Sequence, residues 1–284
     1  MISCINSSLK IKRPYFLILI FFLSIFICSC SRSSVLKERE RVTLTSFFEE
    51  LLLENGGAYT LLGSKPVTIE DLIDTSPEKY NKLQEYLADH PEIPILEIER
   101  HLEEGWEVLK QKPIPFSNRF ILTEVKCGSY SLLVFLNTEL TIRSMKEHYS
   151  EFKRIYVSDF DPIAEVENLR LGKHDLWRRI FRDFVCIGVL LGYGIENARL
   201  FEKLYGELAK GNLQEEYQPS ENNDPRIKAD CYLNGVPFRI PIFVMFDKRE
   251  SEELLSKYNN ERERIKKFYD KKNFLDETLS ILRK

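Results

Sequence analysis

Three features of the sequence predict an α+β fold. Two pairs of apolar, β-branched and aromatic segments flank turn residues, at 119–136 and 226–246. Segments with helical spacing of apolar residues lie before, between and after them. The last 36 residues form a long charged amphipathic tail. An isolated hairpin is marginal in water. The two hairpins are therefore expected to join into one antiparallel sheet of about four strands, with several helices over one face and a long C-terminal helix.

In chain order, "VTLTSFFEELLLEN" (42–55) places apolar residues at 44, 47, 48, 51 and 52, a helix that Gly56-Gly57 stops. "AYTLLGSKPV" reads as an extended piece and a turn, and Thr68 as the cap of a helical turn through Leu72. Pro77 opens a helix to about Ala88, and "ILEIERHLEEGWEVLKQ" reads as another, ended by "KPIPF". The strands "RFILTEV" and "YSLLVFL" follow, with Lys126–Ser129 as the hairpin loop. Asn137 caps "TELTIRSMKEHYSEFKRI", and a loop with Asp159, Asp161 and Pro162 leads into a short helical turn. "KHDLWRRIFRDFVCIGVLLGYG" is the most apolar internal segment, too short to span a membrane and expected to be a buried central helix. "IENARLFEKLYGELAKG" is a helix, 212–225 a loop, and Asn234-Gly235 the strongest hairpin signal in the chain. Pro237 and Pro241 place the following strand at an edge.

The N-terminus differs from the rest. Lys10, Lys12 and Arg13 precede the uncharged run Tyr15–Cys28. That run is shorter than the roughly 20 residues a spanning helix needs, and the pattern is that of a secretory signal peptide. It ends Ile27-Cys28-Ser29-Cys30, where Ser29 is the small residue before Cys30. This resembles the lipobox of bacterial lipoproteins. The resemblance implies cleavage before Cys30, acyl chains such as palmitate on that residue, and stable attachment to a membrane. It divides the chain into a signal peptide (1–29), a lipidated tether (30–40) and a single α+β domain (41–284). Ser31 stands where an Asp would favour the inner membrane, so the outer membrane is the expected location. Losing three of the 41 basic residues and none of the 44 acidic ones leaves a net charge of −6. That argues against a nucleic-acid partner.

"GGAYTLLGSKP" invites a phosphate-loop reading and departs from it: five residues separate Gly57 from Gly63, Ser64 precedes Lys65, and Pro66 stands where Ser or Thr would bind magnesium. This segment and "LGYGIENARLF" resemble short motifs in uncharacterised proteins of chlamydia-like intracellular bacteria, which implies two signature pieces of one fold, expected to pack together. Their polar side chains Tyr59, Ser64, Lys65, Tyr193 and Asn197 are the candidate ligand or partner loop. No catalytic, cofactor-binding or metal-ligating set is expected. The four histidines lack ligand spacing, "DFD" at 159–161 reads as a capping loop, and "CGSYS" is not a strand-to-helix elbow. Glu103, Glu104 and Glu107 around Trp106 read as a solvated helix face. Cys127 and Cys231 both fall in or beside hairpins and are candidates for a disulfide, with Cys186 buried alone.

The tail stripe Leu254, Tyr258, Ile265, Tyr269, Leu275, Leu279 and Leu282 either packs on its own domain or meets an envelope partner. The expected function is that of a membrane-anchored cell-envelope lipoprotein that binds or assembles. The alternative is an envelope hydrolase acting on sugar or peptide with acidic residues in a cleft.

Overall fold

The computed structural model describes residues 36–72, 101–128, 130–156, 159–209, 231–241 and 245–284. The signal peptide, Cys30, the helix expected from Pro77 and the loop at 212–225 lie outside the described residues. The chain divides into two units, Met1–Glu40 and Arg41–Lys284. In the first, Lys37 N–H donates to the Glu40 carboxylate at 2.9 Å. The described elements lie in the second, save the first turn of α1.

The fold is α+β. Its elements are α1 (Glu38–Glu49), a π-helical turn (Glu50–Glu54), α2 (Gly57–Leu61), β1 (Val67–Leu72), α3 (His101–Gln111), β2 (Phe120–Cys127) and β3 (Tyr130–Asn137). Then come α4 (Thr138–Glu147), α5 (Tyr149–Arg154), α6 (Pro162–Arg170), α7 (Asp175–Ile180), α8 (Phe184–Leu190) and α9 (Ile195–Ala209). A hairpin of β4 (Tyr232–Leu233) and β5 (Val236–Pro237) precedes α10 (Lys248–Tyr269) and α11 (Phe274–Arg283).

The sheet is antiparallel with order β1-β3-β2, and β4-β5 stands apart as its own two-stranded sheet. Both differ from the four-stranded sheet the sequence suggests. Asn234 and Gly235 do adopt positive φ, 54° and 83°, the turn their sequence announces. The hairpin's ladder pairs Leu233↔Val236 and Tyr232↔Pro237, and the backbone contact continues past Pro237, which sits at a non-hydrogen-bonded position, with Phe238 N–H on Cys231 C=O at 2.8 Å. The third strand is Val67–Leu72, paired from Val67↔Leu136 to Leu72↔Ser131. Thr68 caps nothing; its hydroxyl shares a 2.9 Å hydrogen bond with that of Thr60, and Val67 and Ile69 suit a pleated surface.

Helices cover both faces, not one. Val67, Ile121, Val125, Leu132, Val134 and Leu136 alternate onto a face that packs with Met145, Phe152, Val166, Trp177 and Leu190 of α4–α8. The opposite face, with Thr68, Leu133 and Phe135, meets α2 through Thr60 and α3 through the Trp106 Nε1–H to Glu124 hydrogen bond at 3.2 Å. β3 is central and almost wholly buried.

Two long helices expected from periodicity are each broken into two. The first parts at His148. The second parts at Asp183, whose carboxylate accepts from Cys186 N–H at 2.9 Å and starts α8. Asn137 and Asp161 cap α4 and α6 as their positions suggest, and α6 runs for nine residues. The tail forms two helices, with Asn273 capping the second. Its stripe from Tyr258 to Leu282 is buried in its own domain. Residues 57–61, read as extended, form a turn of helix.

Gly105 lies where α3 crosses α1, and a Cβ there would fall on Phe47. Gly105→Ala gains about 1 kcal/mol of helix propensity, while overpacking against an interior ring costs about 1–3 kcal/mol. The substitution is expected to lower stability, read as a reduced urea midpoint with an unchanged slope.

Candidate functional site

The two glycine-bearing segments fold locally for identifiable reasons. The π-helical turn closes with Asn55 N–H on Glu50 C=O at 3.1 Å, and Gly56 turns the chain at φ 74°. The Tyr59 carbonyl then accepts from both Gly63 N–H (3.0 Å) and Lys65 N–H (3.1 Å), a knot that delivers Lys65 to the start of β1. In the second segment Gly192 ends α8 at φ 79°, with Gly192 N–H on Val189 C=O (3.1 Å) and Tyr193 N–H on Gly188 C=O (2.9 Å). That is a Schellman cap.

The two segments meet. The Lys65 stem runs between them: its Cγ lies 3.6 Å from the point a Gly192 Cβ would occupy, and its Nζ 3.5 Å from that of Gly56. Helix α10 clamps both. Tyr258 O–H donates to Gly192 C=O at 2.9 Å. Glu261 accepts from Ser64 N–H at 3.1 Å and fills the space a Gly63 side chain would take. Glu250 accepts from Asn197 N–H at 2.7 Å and lies over Gly194 in the same way. Positions 250, 258 and 261 share one face of a helix.

The five candidate side chains therefore line an internal seam and not a surface loop. Tyr59 and Asn197 are fully buried and Lys65 nearly so; Ser64 and Tyr193 are half-buried. Tyr59 packs its ring 5.5 Å from those of Phe238 and Tyr258. Asn197 spends its side chain internally: Oδ1 accepts from Phe246 N–H, Asp247 N–H and Ser251 O–H, and Nδ2 donates to Tyr193 C=O. The clamping acids Glu250 and Glu261 were not legible in the sequence, where they sit among the many charges of the tail. The available signal was Glu261 within the buried register of Tyr258 and Ile265.

Buried Lys65 and half-buried Glu70 form one pair of titratable groups at the seam. Burial pushes the Lys65 ammonium down to about 8, opposed by the Glu70 charge. Burial likewise pushes the Glu70 carboxyl up to about 8, opposed by Lys65 and reinforced by Glu50 and Asp71. Burial also raises the Tyr59 and Tyr258 hydroxyls, which stay protonated.

Elsewhere, Trp106 is half-buried on α3. It donates to Glu124, whose carboxyl burial would raise but which hydrogen bonds from Ser131 and Trp106 hold below the usual range. Asp161 serves as a cap, and Asp159 pairs with Lys153 at 3.4 Å. The proposed Cys127–Cys231 bond is not formed: Cys127, Cys186 and Cys231 are buried free thiols. With the hairpins in separate sheets, Cys127 lies near Arg178 and Arg182, whereas Cys231 neighbours Tyr59. Burial raises the Cys127 and Cys186 thiols and keeps them unreactive.

A polar cleft opens between α5, α6 and α7, lined by Tyr156, Glu165, Asn168, Lys173, Asp175 and Arg179. Glu165 is buried and accepts from Tyr156 O–H at 2.8 Å. Asp175 is exposed and pairs with Arg178 at 3.0 Å.

Comparison with family models, with curated proteins and with solved structures finds no match to this chain.

The Lys65–Glu70 pair has a consequence for stability. Glu70 in the folded protein titrates near 8, above its ordinary 4.5, so its contribution falls as pH rises through that interval. Lys65 titrates near 8, below its ordinary 10.5, so its contribution recovers as pH rises from about 8 to 10.5. Urea midpoints measured across this range are expected to dip near pH 8. Glu70→Gln should remove the falling limb and Lys65→Met the rising one. A flat wild-type profile would count against this pair.

Proposed function

We propose that this chain is a lipid-anchored bacterial cell-envelope protein, held to a membrane through Cys30, whose body acts by binding or assembly. The observation that carries the reading is the run from Lys10 to Cys30: basic start, short apolar stretch, and a small residue before cysteine. Ser31 favours the outer membrane, with the body facing the periplasm or the surface. The seam spends its polar groups internally, so on this reading binding falls to other surfaces of the body. The groups that looked like ligand contacts hold α10 to two loops, and the apolar stripe of the tail is used within the body. A partner engaging α10 meets its charged outer face.

The anchor is tested on the native protein and a Cys30→Ala variant, by intact mass and membrane fractionation. Loss of residues 1–29, added acyl mass and recovery with membranes are expected for the native chain and none of these for the variant. An unlipidated native chain recovered in the soluble fraction would overturn the reading.

The second reading, an envelope hydrolase, is favoured by the cleft that brings Glu165 and Asp175 onto one lining. On that reading the purified protein releases soluble fragments from dye-labelled cell-wall sacculi, and Glu165→Gln lowers the rate by about a hundredfold or more, as loss of a general acid or base does. Equal release by both proteins, or none by either, rules out hydrolysis of these sacculi through Glu165.

A further inference from the structure

The edge of the main sheet carries a surface the functional reading has not used. Among the described residues β2 is an outer strand, paired with β3 alone. In an antiparallel pair alternate residues turn their N–H and C=O away from the partner. On β2 these are the even-numbered residues: Arg119 C=O accepts from Thr138 on the β3 side, whereas Lys126 C=O accepts from the Arg178 guanidinium of α7 at 2.9 Å. The two ends of this outer edge are closed, by Phe120 N–H on Ser117 C=O at 3.2 Å and by that Arg178 contact. Between them, the outward backbone groups of Leu122 and Glu124 make no backbone hydrogen bond outside the ladder among the described residues.

The same edge is the floor of a groove of about 680 Å³, solvent mouth included. Residues 120–123 line its floor. Trp106 and Leu109 of α3, Arg170 of α6, and Pro113, Ile114 and Phe116 complete its lining. Residues of both helix layers and of the outer strand thus share one slot.

We infer that this slot binds an extended, apolar segment of a partner protein, which adds to β2 as a fourth strand of the sheet. The chemistry of the occupant follows from the two kinds of group that line the slot. Outward N–H and C=O groups on alternate residues are satisfied by an extended backbone, which offers the complementary set at the same repeat. A helix uses its own backbone groups internally and cannot supply them. The half-buried Trp106, Ile114 and Phe116 call for apolar side chains at every second position of the segment. The four floor residues correspond to about 13 Å of strand, so a short segment fills the slot. This names the binding surface of the protein proposed above and rests on its being a binding protein; it does not depend on the anchor at Cys30.

The test selects a phage library of random ~10-residue peptides against the purified full chain, so that no occupant sequence is presupposed. Selected peptides are expected to alternate apolar and polar residues and to shift the emission of Trp106, a shift lost in Trp106→Phe. Leu122→Pro removes one outward N–H without touching a ladder bond and should weaken binding by about tenfold or more. Because that variant also changes a half-buried side chain, each peptide is remade with N-methyl groups on alternate amides. One of the two methylation registers should abolish binding and the other leave it. No enrichment, or binding indifferent to both methylation registers, overturns the inference, whatever the outcome of the Cys30 experiment.

Discussion

The structure depends on how closely α10 approaches the backbone of two distant loops. Gly63, Gly192 and Gly194 have no Cβ, and the space is taken by Glu261, Tyr258 and Glu250 of one helix. Each of these side chains then bonds to the backbone of its loop or to a residue beside it. A buried carboxylate or hydroxyl is tolerated only when hydrogen-bonded, and the loops supply donors and acceptors at matching positions. The clamp therefore couples three regions far apart in sequence, near residues 60, 193 and 255, into one body.

Around that clamp the sheet is enclosed on both faces, with β3 at its centre. Enclosure explains why β3 reads as a nearly continuous apolar run, while β2 and β1, at the edges, keep polar residues such as Thr123, Glu124, Glu70 and Asp71. It also explains the position of Lys65. The residue leads into β1 from the α2 knot, so its side chain is carried into the seam, where the Glu70 charge acts on it. Two ionisable groups share a site where neither is well hydrated, which is why both are displaced in opposite directions.

The charged residues of this chain divide by what surrounds them. Those on α7 and the outer face of α10 form exposed pairs such as Arg178–Asp175 at 3.0 Å and Arg249–Glu253 at 3.0 Å, which contribute little to stability. Those inside the seam set the arrangement of elements. The outer edge of β2 and the polar cleft beside Glu165 lie elsewhere. Neither coincides with the glycine-bearing segments that stand out in the sequence, because such segments mark backbone approach and not exposure.

By itself the sequence determined what depends on neighbours along the chain. The hairpin of β2 and β3, the caps Asn137 and Asp161, the Asn234-Gly235 turn and the apolar register of the tail are all set within a few residues, and the α+β class follows from them. The seam's two glycine-bearing segments were also visible, though their polar side chains read as a surface loop. Tertiary structure alone decided the rest. Residues 67–72 are a strand because β3 offers an edge and Thr60 a partner for Thr68. The second hairpin forms a two-stranded sheet of its own, apart from β1-β3-β2. Cys127 and Cys231 stay apart because their hairpins do. Glu250 and Glu261 became structural because glycine backbones approach them from more than fifty residues away, a distance over which no local pattern carries information.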